Sequence, residues 1–376
     1  DNNFDFNLYF RNSEAILKIF APGVLIAENT GFTGNYNESK AALLIEGFSD
    51  SVTLAGNRIE NIDIRVFTRN NQLTCLVNAM KINGGAYTIH NFNFNTIARN
   101  DTIRFNLNWN NWDKPNYSAN VSANAFFNHP DTNHQQFVLQ MLPSNLIVAD
   151  TIWTFNNCVI TSDSNYLDIS NFSLKNNYQF IAANGRLSDN PDDTLLIEMQ
   201  DLGLAGLNNL MSDSSFIIGG TLGGYVEIFS LDNNTIVNSL MDFKDLEINH
   251  ENIGNTILSS TWEPVTRLLN IQLFQNSEKQ NLSANGFYSP ETNIFNIDVE
   301  LQDKNLSILN AFLDSVVILD KGSVSGEVNI SGTPDKIGLT GYLVADSARI
   351  YLDMLNTSYT FSDTINLYPT SIKFNN

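Results

Sequence analysis

The side chains that could do chemistry are few and scattered. His129 and His134 flank Asp131 in the segment NHPDTNH. That spacing could offer a weak metal site, but two imidazoles this close on a loop have no enforced geometry, and an exposed polar loop is the expectation. His90 and His250 stand alone. Gly219-Gly220-Thr221-Leu222-Gly223-Gly224 is glycine-rich, yet no lysine and no helix follow it. Turn or close-packing glycines account for it better than a phosphate loop. There is no nucleophile elbow, no GxGxxG after a strand and no paired-cysteine motif. A separated carboxylate pair could in principle serve glycoside hydrolysis, but nothing singles one out. Cys75 and Cys158 are the two cysteines. They are expected to be small buried apolar side chains, and a disulfide between them is left open by the sequence. The expectation is a protein that is not an enzyme and needs no cofactor or metal.

Composition narrows the partners. The 376 residues suffice for two or three ordinary domains or for one continuous solenoid-like body. The net charge of −20 repels nucleic acid and anionic lipid surfaces. No apolar run approaches the ~20 residues that span a bilayer. Any membrane anchor is therefore expected outside this sequence, which starts at Asp1 with no Met and no signal peptide and is expected to be a piece of a longer protein. Hydrophobic residues make up 43%, which argues against disorder, while charged residues are only 16%. Asn and Ser take the place of Lys and Glu on solvent faces and in turns, where Asn tolerates positive φ.

The elements are strands with one apolar and one polar face. In Thr102–Trp109, Ile103, Phe105, Leu107 and Trp109 alternate with Arg104, Asn106 and Asn108. Leu269, Ile271 and Leu273 share a face, as do Phe295, Ile297, Val299 and Leu301. Val324, Val328 and Ile330 follow the same rule, with Gly326 among them and Ser323, Ser325, Glu327, Asn329 and Ser331 opposite. Before this last strand, Leu306, Leu309 and Leu313 are spaced as one or two turns of amphipathic helix. The helix-then-strand unit recurs. Met199–Ser230 aligns without a gap on Leu301–Gly332, at an offset of 102 (199 against 301). Asp201/Asp303, Leu204/Leu306, Asn208/Asn310, Gly220/Gly322 and Gly224/Gly326 are among its identical pairs. A fainter copy lies at Ser13–Tyr36, where Leu17, Phe20 and Gly34 fall on Leu309, Phe312 and Gly326. Such repetition argues for an elongated β architecture. With no linker or composition shift, one continuous body over 1–376 is expected, in approximate modules 1–120, 121–230 and 231–376.

The last third resembles a known family. Gly322, Gly326, Gly332-Thr333-Pro334 and Gly341, then Leu355-Asn356-Thr357-Ser358-Tyr359 and Ile372-Lys373-Phe374, are similar in order to the C-terminal domain of the TamB family of diderm bacteria, in its Bacteroidota form. Gly254 and Trp262, and Thr151-Ile152-Trp153, resemble that pattern upstream. Gly219 and Gly223 depart from it within the repeat, becoming Lys321 and Ser325. The resemblance implies an AsmA-like, bridge-type protein of the periplasm, reaching between the inner and outer membranes of a Gram-negative cell. It implies phospholipid as cargo, a TamA-like outer-membrane barrel as partner, and a link to outer-membrane protein assembly.

The residues lead to a compatible place. One-faced strands in unbroken series need their apolar side covered. A second sheet could do it, giving a sandwich, or the sheet could curl around its own apolar face with lipid tails filling the rest. The residues alone leave both open; the resemblance implies the second, so the expected fold is all-β: an elongated, curled antiparallel sheet forming an open apolar groove, with a few short helices punctuating the repeats. Phe105, Leu107, Ile271, Leu273, Phe295, Ile297, Val299, Val324, Val328 and Ile330 are expected to line it. Two other readings stay open. One is a scaffold whose terminal strand, around Thr370–Phe374, pairs with a barrel or client strand. The other is a secreted β-sandwich that binds glycan, suggested by the abundance of Asn and aromatic residues.

Overall fold

The computed structural model describes residues 3–12, 14–21, 23–84, 88–111, 116–128, 135–148, 150–209, 217–231, 234–275, 281–312, 317–333, 336–352, 356–369 and 371–375. The chain is nearly all antiparallel β. It divides into two compact units, Asp1–Asn177 with Ala182–Asn184, and Tyr178–Ile181 with Gly185–Asn376.

The first unit holds β1 (Asn3–Phe10), a short helix α1 (Glu14–Phe20), β2 (Val24–Ile26), β3 (Thr30–Asn37), β4 (Ala42–Leu54), β5 (Asn57–Arg69), β6 (Gln72–Asn83), β7 (Thr88–Arg99), β8 (Thr102–Asn110), β9 (Ser118–Asn128), β10 (Gln136–Met141), β11 (Ser144–Val148), β12 (Thr151–Phe155), β13 (Cys158–Ser162) and β14 (Tyr166–Lys175). From β3 to β9 each strand pairs with the next. β10 and β11 then lie end to end along β9, parted at Leu142-Pro143, because proline has no N–H to continue a ladder. The asparagines explain how the chain reverses so tightly. The two-residue connections Asn70-Asn71 and Asn100-Asp101 have positive φ at both positions, as type I′ hairpins require. Ala55-Gly56 and, in the second unit, Asn249-His250 do the same. His250 is thus a turn residue.

The second unit follows β15 (Phe180–Ser188) with β16 (Leu195–Gly203), β17 (Ile218–Leu231), β18 (Asn234–Ile248), β19 (Glu251–Glu263), β20 (Leu268–Gln275), β21 (Asn281–Ser289), β22 (Ile294–Asn305), β23 (Val317–Thr333), β24 (Lys336–Leu352), β25 (Thr357–Tyr368) and β26 (Ser371–Phe374). β16 to β26 form a simple antiparallel meander. The sequence repeat is a structural repeat. The ladder shifts between Met199 and Leu202 in β16, and between Leu301 and Lys304 in β22. It shifts between Phe243 and Leu246 in β18, and between Ala345 and Ala348 in β24. Asp201 and Asp303 take φ of 47° and 47°, and Asp245 and Ser347 take 48° and 51°. These are β-bulges at matching places, each bending its strand locally. Three of the four freed N–H groups are satisfied by side chains of the next strand. Asp245 N–H donates to Asn255 Oδ1, Asp303 N–H to Ser325 Oγ, and Ser347 N–H to Ser362 Oγ, each at 2.9 Å.

Between the paired strands of each copy lies a short 3₁₀ helix, Leu204–Asn209 and Leu306–Phe312. The expected helical turns are present but wound more tightly than an α-helix. Leu313 and residues 210–211 lie outside the described residues. One asparagine clamps each turn to the following strand. Asn208 donates to Ile218 O and accepts from Ile218 N–H, and Asn310 does the same with Leu319. Asn310→Ala strands a strand N–H and C=O together, and is expected to lower the stability of the second unit by about 2 kcal/mol in urea unfolding; a loss below ~0.5 kcal/mol would show that water replaces the clamp. Leu204, Leu306 and Ile308 are buried with Leu246, Ile253, Leu301, Leu319, Val324, Leu343, Ala345 and Ala348 in one core. The buried apolar residues of the first unit are mostly small, among them Ala79, Ala119, Ala123 and Ala125.

Candidate functional site

The register carries the apolar positions of neighbouring strands onto one face. In the second unit one row runs Ile271, Gly286, Ile297, Ile330, Leu339 across β20 to β24. The adjacent row runs Leu273, Ala284, Val299, Val328, Gly341, Leu367. A third places Tyr288, Phe295, Gly332 and Ile337 together. The structure thus assembles Ile271, Leu273, Phe295, Ile297, Val299, Val328 and Ile330 into one patch. The opposite face is polar: Gln272, Asn285, Asp298, Asn329 and Thr340 form a single row.

Burial separates two regions of that apolar face. Where the 3₁₀ turn Leu306–Phe312 packs, the face is a closed core, and Val324 is 1% exposed within it. Val324 therefore does not line an accessible surface, although it follows the same alternation as Val328. Away from the turn, Ile271, Leu273, Phe295, Ile297, Val299 and Ile330 are half-buried. Leu339 is 45% and Ile337 59% exposed. Trp262 pairs with Leu269 on this face, and its buried indole N–H has no partner among the described residues.

Phe105 and Leu107 occupy the corresponding face of the first unit. They stand opposite Thr96 and Phe94 on β7 and opposite Ala123 and Val121 on β9, all half-buried except Ala123. The Phe94 and Phe105 rings lie 6.3 Å apart. Rows continue to Val77 and Ile64 on one side and to Met141 and Cys158 on the other. Phe92, Phe94, Trp262, Leu339 and Leu367 belong with the expected residues and were not singled out by strand pattern alone. Alternation marked some of them, but only the pairing register shows which strand each one faces.

His129 and His134 lie outside the described residues, and those residues hold no group of three or more His, Cys, Asp or Glu able to bind a metal. Cys75 and Cys158 are free thiols, and burial pushes the Cys158 thiol up in pKa. No described helix is long and apolar enough to cross a membrane. One charged group intrudes on the apolar side. Lys304 falls at the repeat position of Leu202, is 3% exposed, and donates from Nζ to Gln275 Oε1. Burial holds its pKa below the ordinary lysine value. Between that lowered pKa and the ordinary one the unfolded chain binds more protons than the folded chain, so stability rises with pH across the interval. Lys304→Met removes this dependence and is expected to stabilise the second unit by about 1–3 kcal/mol at neutral pH. A destabilised variant in pH-resolved urea titrations would mean that the ammonium's hydrogen bond outweighs its desolvation.

No family model, no curated protein and no solved structure matches this chain.

Proposed function

We propose that the chain is a bridge-type lipid conduit of the periplasm, whose apolar sheet faces shield phospholipid acyl chains on their way towards the outer membrane. The observation that carries this is the burial pattern. Large apolar side chains stand in register over many consecutive strands yet stay half-exposed, whereas a β-sandwich would bury them against a second sheet. Each acyl CH₂ moved from water onto such a face gains about 0.8 kcal/mol, so one chain of ordinary length is held by on the order of 10 kcal/mol without any headgroup contact. That demand for area rather than for reactive groups fits the sequence. Curling of the sheet into a groove belongs to the same proposal, and the paired β-bulges supply the local bends it needs.

A second reading, a scaffold for outer-membrane protein assembly beside a TamA-like barrel, is favoured by β26. This strand hydrogen-bonds only to β25 among the described strands, and Ile372 on it is 64% exposed. One experiment addresses both readings. A photoreactive phenylalanine analogue is placed at Leu273, Gln272 or Ile372 and irradiated in cells. Lipid adducts from Leu273 and none from Gln272 are expected. Protein adducts from Ile372 alone would transfer the weight to the scaffold, and equal lipid adducts from Leu273 and Gln272 would contradict the conduit.

A further inference from the structure

The polar face of the first unit carries a feature that lipid transport does not use. Asn78, Asn93, Asn108, Asn120 and Asn145 stand directly opposite one another across β6, β7, β8, β9 and β11. Neighbouring rungs are one strand spacing apart, ~4.8 Å, so the row is on the order of 19 Å long. Asn95, Asn106 and Ser122 form a parallel row beside it. The amides orient one another in sequence. Asn93 Nδ2 donates to Asn108 Oδ1 at 3.1 Å, Asn108 Nδ2 to Asn106 Oδ1 at 3.0 Å, and Asn106 Nδ2 to Asn120 Oδ1 at 2.9 Å. At the end of the relay, Asn120 keeps its Nδ2 and Asn145 its whole amide without a partner among the described residues. The relay ends in a surface cavity of about 450 Å³, lined by Asn106, Asn108, Asn120 and Asn145 and bordered by Ile147.

We propose that this cavity and its asparagine row bind a neutral, hydroxyl-rich glycan chain. The match is one of hydrogen-bonding type. An amide presents two donors and an acceptor in one plane, and a sugar hydroxyl offers one donor and two acceptors, so a row of pre-oriented amides meets a row of hydroxyls. The charge pattern selects against the alternatives. In a chain of net charge −20, no described residue lining the cavity is acidic or basic. Among the described lining residues a phosphate polymer would meet no cation, and a cationic peptide no carboxylate. Ile147, on the same face of β11 as Asn145, gives the C–H surface of a sugar ring an apolar border. The site lies on the face of β8 opposite Phe105 and Leu107, so it stands or falls independently of lipid.

The test is calorimetric titration of the whole chain with cellohexaose and with chitohexaose, and with a sulfated heparin hexasaccharide as the charged comparison. Saturable heat from at least one neutral hexasaccharide is expected. Asn120→Ala with Asn145→Ala should weaken it by about tenfold or more, since two hydrogen bonds are lost. Both residues are exposed, so the double variant should keep the wild-type circular dichroism and thermal midpoint; Asn145→Asp, a change of charge at constant shape, should weaken binding in the same direction. Absence of saturable heat from both neutral sugars, wild-type affinity in the double variant, or tighter binding of the heparin hexasaccharide would each overturn the proposal.

Discussion

Replacing Gly224 by alanine should destabilise the second unit by about 3 kcal/mol or more, although it adds a single methyl group. Gly224 has φ of 120°, a region that L-residues rarely adopt, and a Cβ built there would lie 2.1 Å from the carbonyl oxygen of Leu240. That oxygen is backbone in the adjacent strand and cannot rotate away. Gly326, its counterpart in the second copy, meets Tyr342 O at 2.2 Å and should behave the same way. Gly223 is the control. Its nearest neighbour is Met199 O at 3.8 Å, and Ser325 already fills the equivalent position, so Gly223→Ala should be close to neutral. Urea unfolding of the three variants checks this. A change below ~1 kcal/mol at Gly224 would mean that the bend at this point of β17 is not imposed by the strand beside it.

The same aspartate should have opposite consequences at two apolar positions of the second unit. Val324→Asp places a carboxylate in the closed core beneath the Leu306–Phe312 turn, shut off from water and opposite the buried Lys304 in the ladder; desolvation outweighs the attraction of such a pair, so the change should cost about 3 kcal/mol or more and abolish cooperative unfolding. Ile297→Asp sits on the half-exposed part of the face. It should leave the thermal midpoint within a few degrees while removing most of the lipid that co-purifies, because a charge on the lining costs the acyl chains their apolar contact. Circular dichroism and the mass of extractable lipid per chain, measured on both variants, separate fold from function. Unfolding of Ile297→Asp as complete as that of Val324→Asp would make the face an ordinary packed core.

Those two positions also show how far the sequence could be read. Period-two alternation located β8, β20, β22 and β23 and their apolar sides, because a strand's faces follow from the chain itself. The 102-residue offset located the two helical turns. Alternation could not distinguish Val324 from Val328, since what closes over Val324 is a turn folded back from residues 306–312. The bulges were equally hidden. Asp201, Asp303 and Ser347 are ordinary polar residues until a neighbouring strand leaves them unpaired. The asparagines were legible as turn and surface residues, and Asn70-Asn71 bears that out. Their alignment into a row from Asn78 to Asn145 depends on five strand registers at once, none of which the sequence states.

Native mass spectrometry of the detergent-free chain, followed by lipid extraction, tests the conduit most directly. Several phospholipids per chain are expected, lost on Ile297→Asp and kept on Asn120→Ala. A stable, monodisperse and lipid-free chain would contradict it, because the half-exposed apolar faces would then be closed by protein alone.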